Sequence, residues 1–111
     1  IKDEIINKIK IRFQKIHDLP TKELRAIIDQ GKKELKEGIV IAYAIQGQKL
    51  GIAVGITKEL SKKISALDLV KIGSSTLGGK GGGGRDDFAQ AGGEKIEKIE
   101  DSYKEILKKL I

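Results

Sequence analysis

Cysteine, methionine and tryptophan are absent from this chain of 111 residues, and proline and histidine occur once each. Without cysteine, the chain cannot form a disulfide, bind a metal through thiolates or use a thiol nucleophile. The single histidine, His17, excludes catalysis by paired histidines and most zinc chemistry. No apolar run approaches the roughly 18 residues that a transmembrane helix requires. We therefore expect no catalytic residues, metal site, cofactor or membrane segment here.

Lysine and arginine outnumber aspartate and glutamate by 22 to 16, which gives a formal net charge of +6. The whole excess lies in the first 77 residues, because the remainder is balanced. Basic surface attracts nucleic-acid phosphates or anionic membranes, although an ordinary lysine-rich surface has the same composition. The length fits a single domain. Since the chain begins at Ile1 and contains no methionine, we expect it to be part of a longer protein.

The apolar residues within 1–37 have the spacing expected of two helices. In the first, four apolar residues recur three or four positions apart, as on one helical stripe: Ile6, Ile9, Phe13 and Ile16. Pro20 interrupts this pattern, and Thr21 can cap a second helix that ends at Gly38. We predict an antiparallel helical hairpin over residues 1–37, an arm that links domains or pairs with a second copy of the chain.

After Gly38, the apolar residues no longer recur with the period of a helix. Residues 39–45 are a short β-branched run, and residues 49–56 alternate bulky side chains with glycine and alanine. These two runs predict a β-hairpin whose small-residue face suits the close approach of a helix. Ser65 and Asp68 have the spacing of a capping box before a helix over residues 66–77.

A final helix is predicted over residues 94–111, with a further short strand within residues 86–92. The predicted fold class is α+β. It consists of the helical hairpin arm followed by a small globular unit over residues 38–111, in which a sheet based on the β-hairpin is covered by helices.

A glycine-rich stretch over residues 78–93 separates the last two predicted helices. Glycine runs are usually flexible linkers, but this one contains no serine and leads into a patterned Ala-Gln-Ala-Gly-Gly segment. It follows a helix rather than a strand, which argues against a dinucleotide-binding loop, and Lys80 is followed by glycine, unlike a Walker A loop. Bare backbone N–H groups suit phosphate, so Lys80 and Arg85 are candidate phosphate partners. Asp86 and Asp87 would repel phosphate and are expected to bond the loop backbone or pair with Arg85.

After the predicted helix over residues 66–77 come, in order, the Gly78–Gly83 run, Arg85, the Ala89–Gly93 segment and a closing helix. This order resembles the C-terminal domain of alanyl-tRNA synthetases. The resemblance covers the chain from about Leu24 onward, and Asp86 stands where that family commonly has proline. It implies a non-catalytic module of a cytoplasmic alanine–tRNA ligase. Such a module binds alanine-specific tRNA at its outer corner, where the D- and T-loops meet, joins the aminoacylation and editing domains, and contributes to dimerisation.

The residues that would contact RNA under this resemblance come from the glycine loop and from the basic stretch before it: Lys80, Gly81, Gly82, Gly83, Gly84, Arg85, Gln90, Lys71, Lys62 and Lys63. Lysines in such positions are also typical of ordinary solvated surface, and Gln90 can equally lock the loop by hydrogen bonds.

Two alternative functions stay open. The same domain type occurs as an accessory nucleic-acid-binding domain in DHH-type phosphoesterases, where a histidine commonly follows the glycine loop. No histidine follows it here, and Gln90 with Gly92 and Gly93 is the form seen in synthetases. The other alternative is a purely structural dimerisation unit.

Overall fold

A computed structural model describes all residues from Ile1 to Ile111. Six strands form one sheet: β1 (Lys2–Ile6), β2 (Ile9–His17), β3 (Ile39–Gln46), β4 (Lys49–Ile56), β5 (Gly82–Gly84) and β6 (Phe88–Gly93). Three α-helices accompany it: α1 (Leu24–Leu35), α2 (Ala66–Thr76) and α3 (Ile99–Lys108). The strand order is β1-β2-β3-β4-β6-β5, in which β2 and β3 run parallel and every other neighbouring pair runs antiparallel.

Strands β3 and β4 form the centre of the sheet, which confirms the hairpin predicted from residues 39–45 and 49–56. Gly47 makes the turn between them with a φ of 62°, a left-handed conformation that glycine adopts without steric penalty. All but the outermost residue of each strand are buried on both faces. A strand buried on both sides requires a layer of other elements against each face.

Helix α1 covers the small-residue face of β4. A Cβ on Gly55 would collide with Ile28 of the helix, and one on Gly31 of the helix would collide with Val40. The backbones of the helix and the sheet therefore approach closely, as the alternation in β4 predicts. Helices α2 and α3 cover the opposite face, where the main core consists of the bulky strand residues and the inner helix residues, among them Ile41, Tyr43, Ile52, Val54, Leu69 and Ile106.

The prediction of a helix over residues 1–17 is wrong, because these residues form the antiparallel hairpin β1–β2. Asn7 and Lys8 make its two-residue turn with φ values of 52° and 69°, the left-handed pair that such hairpins require. In β2, Ile11 and Phe13 face the main core while Arg12 faces α1. The four apolar residues of the apparent helical stripe thus belong to two strands.

Helix α1 confirms the second of the two predicted N-terminal helices, but it is not part of a separate arm. Strand β2, helix α1 and strand β3 form a crossover in which β2 and β3 pair from Ile11–Ile39 to His17–Ile45. The sheet therefore runs continuously across the predicted boundary at residue 38. The expected dimerisation through a helical arm loses its basis, since the apolar stripe on which it depended does not exist.

The helices on the other face begin and end close to their predicted limits. Helix α2 matches the prediction of residues 66–77, although the Ser65 hydroxyl does not cap it and instead donates to Asp86 Oδ1 at 2.8 Å. Helix α3 begins at Ile99, later than predicted, because the N–H groups of Glu94 and Lys95 both donate to the Leu77 carbonyl. None of the helices is long and apolar enough to cross a membrane.

Candidate nucleic-acid interface

The glycine run forms an edge strand of the sheet. Strand β5 pairs with β6 through Gly82–Ala91, Gly83–Gln90 and Gly84–Ala89, and its other side is exposed. Strand β6 confirms the short strand predicted within residues 86–92. An edge strand leaves a row of N–H and C=O groups unpaired. Because β5 carries no side chains, the backbone groups of the alternate residues that point away from β6 are open to a ligand.

Packing explains some of these glycines. A Cβ on Gly82 would overlap the Gln90 carbonyl, and one on Gly84 would overlap the backbone of Phe88 and Ala89. Gly81 and Gly84 also have φ values of 99° and 148°, which other residues rarely adopt. Gly83 differs, since its φ is unrestricted and a Cβ there would meet nothing within 4 Å. Neither steric fit nor conformation requires a glycine at this position.

The start of the glycine run is fixed to the end of α2. The Gly79 N–H donates to the Ser74 carbonyl at 2.8 Å, and the Ser74 hydroxyl donates to the Gly92 carbonyl at 2.7 Å. Gly79 also lies against Gly92, so a Cβ there would collide with the Gly92 carbonyl. Lys80 follows directly and is exposed, and it forms no ion pair within the chain.

The β5–β6 turn is fixed by backbone bonds at the other end of the strand. The Arg85 N–H donates to the Phe88 carbonyl at 2.7 Å, and the Asp86 and Asp87 carbonyls accept from Ala66 and Ile56 at 2.8 and 2.9 Å. The Asp87 carboxylate lies 3.6 Å from Arg85 Nε, so these two side chains do pair. No group of three or more histidine, cysteine and acidic residues is placed to hold a metal ion.

Lys80 and Arg85 lie at opposite ends of β5. An extended chain of five residue steps spans about 16 Å, which is too far for one phosphate to contact both cations. Arg85 is 70% exposed even with Asp87 beside it. The arrangement is a bare backbone strip with one cation at each end.

The other predicted RNA contacts come from α2 and from the turn after β4. Lys71 is exposed on α2, which packs against β5 and β6, and it precedes Ser74 by one helical turn. Lys62 pairs with Glu59 at 3.3 Å in the turn after β4. Lys63 lines a cavity of about 470 Å³ together with Lys8, Lys10 and Glu37. Lys62 and Lys63 therefore lie at the end of the sheet where β4 ends, which is the end that carries the Arg85–Asp87 turn and is opposite to Lys80.

Gln90 and Arg25 connect β6 with the start of α1. Gln90 Nε2 donates to the Thr21 carbonyl at 3.1 Å, so this side chain does lock the strand in place. The Arg25 guanidinium carbon lies 4.5 Å from the centre of the Phe88 ring. Sequence reasoning missed Arg25, because it occupies an ordinary exposed helix position and no local pattern connects it with a residue so far along the chain.

The sequence profile of the DHHA1 domain matches residues 8–111. The chain belongs to the DHHA1 domain family. Among curated relatives of this DHHA1 domain, the alanine–tRNA ligase of Hyphomonas neptunium is 39% identical over 103 residues, which is 93% of this chain and 12% of the ligase. The alanine–tRNA ligase of Parvibaculum lavamentivorans is 45% identical over 93 residues, which is 83% of this chain and 10% of the ligase.

Solved structures agree with this assignment. The crystal structure of the C-Ala domain of Aquifex aeolicus alanyl-tRNA synthetase matches this DHHA1 domain with a TM-score of 0.90 and 28% identity, over 97% of this chain and 96% of that one. The DHH domain of a member of a ribosomal-protein family matches with a TM-score of 0.61 and 18% identity, over 98% of this chain and 27% of that one, which shows a shared fold alone. The resemblance to the C-terminal domain of alanyl-tRNA synthetases is confirmed.

Proposed function

We propose that this domain binds alanine-specific tRNA as the C-terminal part of an alanine–tRNA ligase and catalyses no reaction itself. It contacts the outer corner of the tRNA, where the D- and T-loops meet, and joins the aminoacylation and editing domains of the parent enzyme. The observation that carries the proposal is the exposed glycine strand β5 with Lys80 and Arg85 at its two ends, in a domain similar to the C-Ala domain of Aquifex aeolicus.

The chemistry of this edge suits an RNA backbone. Folded RNA is recognised largely through its shape, its phosphates and its 2′-hydroxyls, and an unpaired strand edge offers N–H donors for phosphate and C=O acceptors for hydroxyls. The two cations add charge-assisted contacts at either end of the strip. The net charge of +6 favours the approach of a polyanion before any contact forms.

The proposal is tested by replacing Lys80 and Arg85 together with alanine and measuring binding of an alanine tRNA transcript at several salt concentrations. Each phosphate contact that is lost removes about 0.7 to 0.9 from the slope of log affinity against log salt, so the slope should fall by about 1.5. A matched control replaces Lys33 and Lys104, which are exposed helix lysines without ion partners.

The control variant should keep the parental slope although its net charge changes by the same amount. If the salt slope falls equally in both variants, net charge alone attracts the RNA, and the assignment of the RNA contact to β5 is wrong. A third variant, Lys62→Ala with Lys63→Ala, tests the other basic surface. If the salt slope falls in that variant alone, the RNA interface lies at the turn after β4 instead.

In the full-length ligase, the Lys80→Ala and Arg85→Ala change should raise KM for tRNA and leave kcat close to the parental value. This split is expected because contacts far from the reacting groups contribute equally to the ground state and to the transition state. Unchanged KM values for tRNA in both aminoacylation and editing assays would contradict the proposal.

A further inference from the structure

The side of the β5–β6 hairpin that faces α1 carries a small shelf of four residues, which we call the stacking shelf: Arg25, Gly83, Phe88 and Gln90. Phe88 and Gln90 are two residues apart on β6 and therefore share a face of the sheet. Gly83 pairs with Gln90 across the hairpin, so the hydrogen that replaces its side chain lies on the same face. Arg25 reaches this face from the first turns of α1.

Arg25 presents a flat cation at the shelf. Its guanidinium carbon lies 4.5 Å from the centre of the Phe88 ring, and its Nε lies 4.0 Å from Asp29 Oδ2, one turn further along α1. The side chain is nevertheless 55% exposed. A guanidinium held against an aromatic ring on one side and open to solvent on the other can accept a second planar group.

Gln90 is oriented by a single hydrogen bond. Its Nε2 donates to the Thr21 carbonyl at 3.1 Å, and this is the side-chain hydrogen bond that Gln90 forms within the chain. This bond fixes one end of the amide and therefore the direction of the other, so Oε1 is a positioned acceptor on the face of the hairpin that Arg25 also reaches. Such an acceptor suits the exocyclic amino group of a nucleobase.

Gly83 leaves the shelf open along β5. It is the glycine of this strand that neither packing nor backbone conformation requires, since a Cβ there would meet nothing within 4 Å. Any side chain at this position would occupy the space next to Gln90. A glycine here therefore keeps space free for something outside the chain.

We propose that the stacking shelf binds one unpaired nucleobase of the RNA, with the base stacked on the outer plane of Arg25 and an amino group of the base donating to Gln90 Oε1. The inference rests on the proposed function, because it assigns a base contact to the RNA-binding edge. Splayed-out bases of folded RNA commonly stack on aromatic rings or on arginine planes. The shelf supplies a stacking plane, an acceptor and an open approach within one face of a hairpin.

The test is the variant Arg25→Lys, assayed with an alanine tRNA transcript over a range of salt. Lysine keeps the charge but has no plane, so affinity should fall roughly tenfold, within the range measured for a lost stacked base, while the salt slope stays at the parental value. The variant Gly83→Ala should also weaken binding and keep the parental melting temperature. The Lys33 and Lys104 variant again serves as the control that binds normally.

Each result separates this inference from the function on which it rests. If Lys80→Ala with Arg85→Ala lowers the salt slope while Arg25→Lys and Gly83→Ala bind like the parent, the shelf takes no base and the proposed function stands. A lower salt slope for Arg25→Lys would make Arg25 a phosphate contact and would also overturn the shelf. Failure of the parent chain itself to bind the transcript would overturn the proposed function.

Discussion

At the scale of single residues, the glycines of β5 divide into those that the fold needs and one that it does not. Gly82 and Gly84 lie so close to β6 that a Cβ would overlap its backbone, whereas Gly83 faces open space. Composition alone treats the three as equivalent members of a flexible run. Their roles become distinct only through pairing with β6, because the contact that forbids a side chain comes from the partner strand.

We predict that Gly84→Ala destabilises the domain by about 1–3 kcal/mol, the range typical of a residue forced into a strained backbone conformation. Gly84 has a φ of 148° and would also bring a methyl group into the Phe88 and Ala89 backbone. Gly83→Ala should stay within about 0.5 kcal/mol of the parent, as exposed substitutions usually do. Urea unfolding followed by circular dichroism measures both, and equal stabilities would show that β5 does not pair with β6 in solution.

At the scale of elements, Arg12 joins three of them. Its guanidinium forms two hydrogen bonds to the Asp3 carboxylate on β1, at 2.8 and 3.0 Å, and a third to Glu34 on α1. The hydrogen bond from Arg12 lowers the pKa of Asp3. The pKa of Glu34 is lowered first by its hydrogen bond from Gln30 and then by Arg12. Both carboxylates are therefore more acidic in the folded chain than in the unfolded chain.

This ionic cluster should make the hairpin β1–β2 sensitive to acid. A carboxylate whose pKa is lowered by folding stabilises the fold above its unfolded pKa, and the contribution is lost as the pH falls through the folded pKa. We predict that the free energy of unfolding decreases below about pH 4, and that Asp3→Asn with Glu34→Gln flattens this decrease. Urea titrations between pH 7 and pH 3 measure it. A double variant with the parental pH profile would show that other carboxylates cause the acid sensitivity.

The elements that the sequence predicts correctly are those whose signal is local. The alternation of bulky and small residues in 49–56 identifies β4 and the helix that packs on it, and the patterned segment after the glycines identifies β6. The hairpin β1–β2 is local as well, but its turn at Asn7 and Lys8 contains no glycine to indicate it, and the pairing of β2 with β3 is reached only through helix α1. Between Ile6 and Ile16, apolar residues recur three or four positions apart, which is also the spacing of a helical stripe. The alternation of Ile11 and Phe13 is the spacing of a strand.

The candidate interface also has a part with a local sequence signal and a part without one. Lys80, Arg85 and the glycines between them stand together in the sequence, so their place on one edge follows from local pattern. The stacking shelf could not be predicted this way, because Arg25 on α1 and Phe88 on β6 come into contact only in the folded chain. Contacts between distant segments carry the part of the site that the sequence alone does not reveal.

At the scale of the whole molecule, the β1–β2 hairpin and α1 are parts of the same folding unit as the glycine strand. Phe13 lies between two aromatic rings of the core, with ring centres 5.6 Å from Tyr43 and 4.7 Å from Tyr103. The Tyr103 hydroxyl on α3 donates to Glu4 Oε2 on β1 at 2.7 Å. The first residues of the chain are thus tied to its last helix, and a division at residue 38 would cut through these contacts.

We therefore predict that a fragment consisting of residues 38–111 does not fold. Removing residues 1–37 exposes the edge of β3 that pairs with β2 and the face of the sheet that α1 covers. Ile11, which is fully buried, and Phe13 together contribute on the order of 3–5 kcal/mol, against a total stability of about 5–15 kcal/mol for a domain. Thermal melting of the fragment should lack the cooperative transition of the full chain, and a cooperative transition in the fragment would show that residues 38–111 are an independent domain.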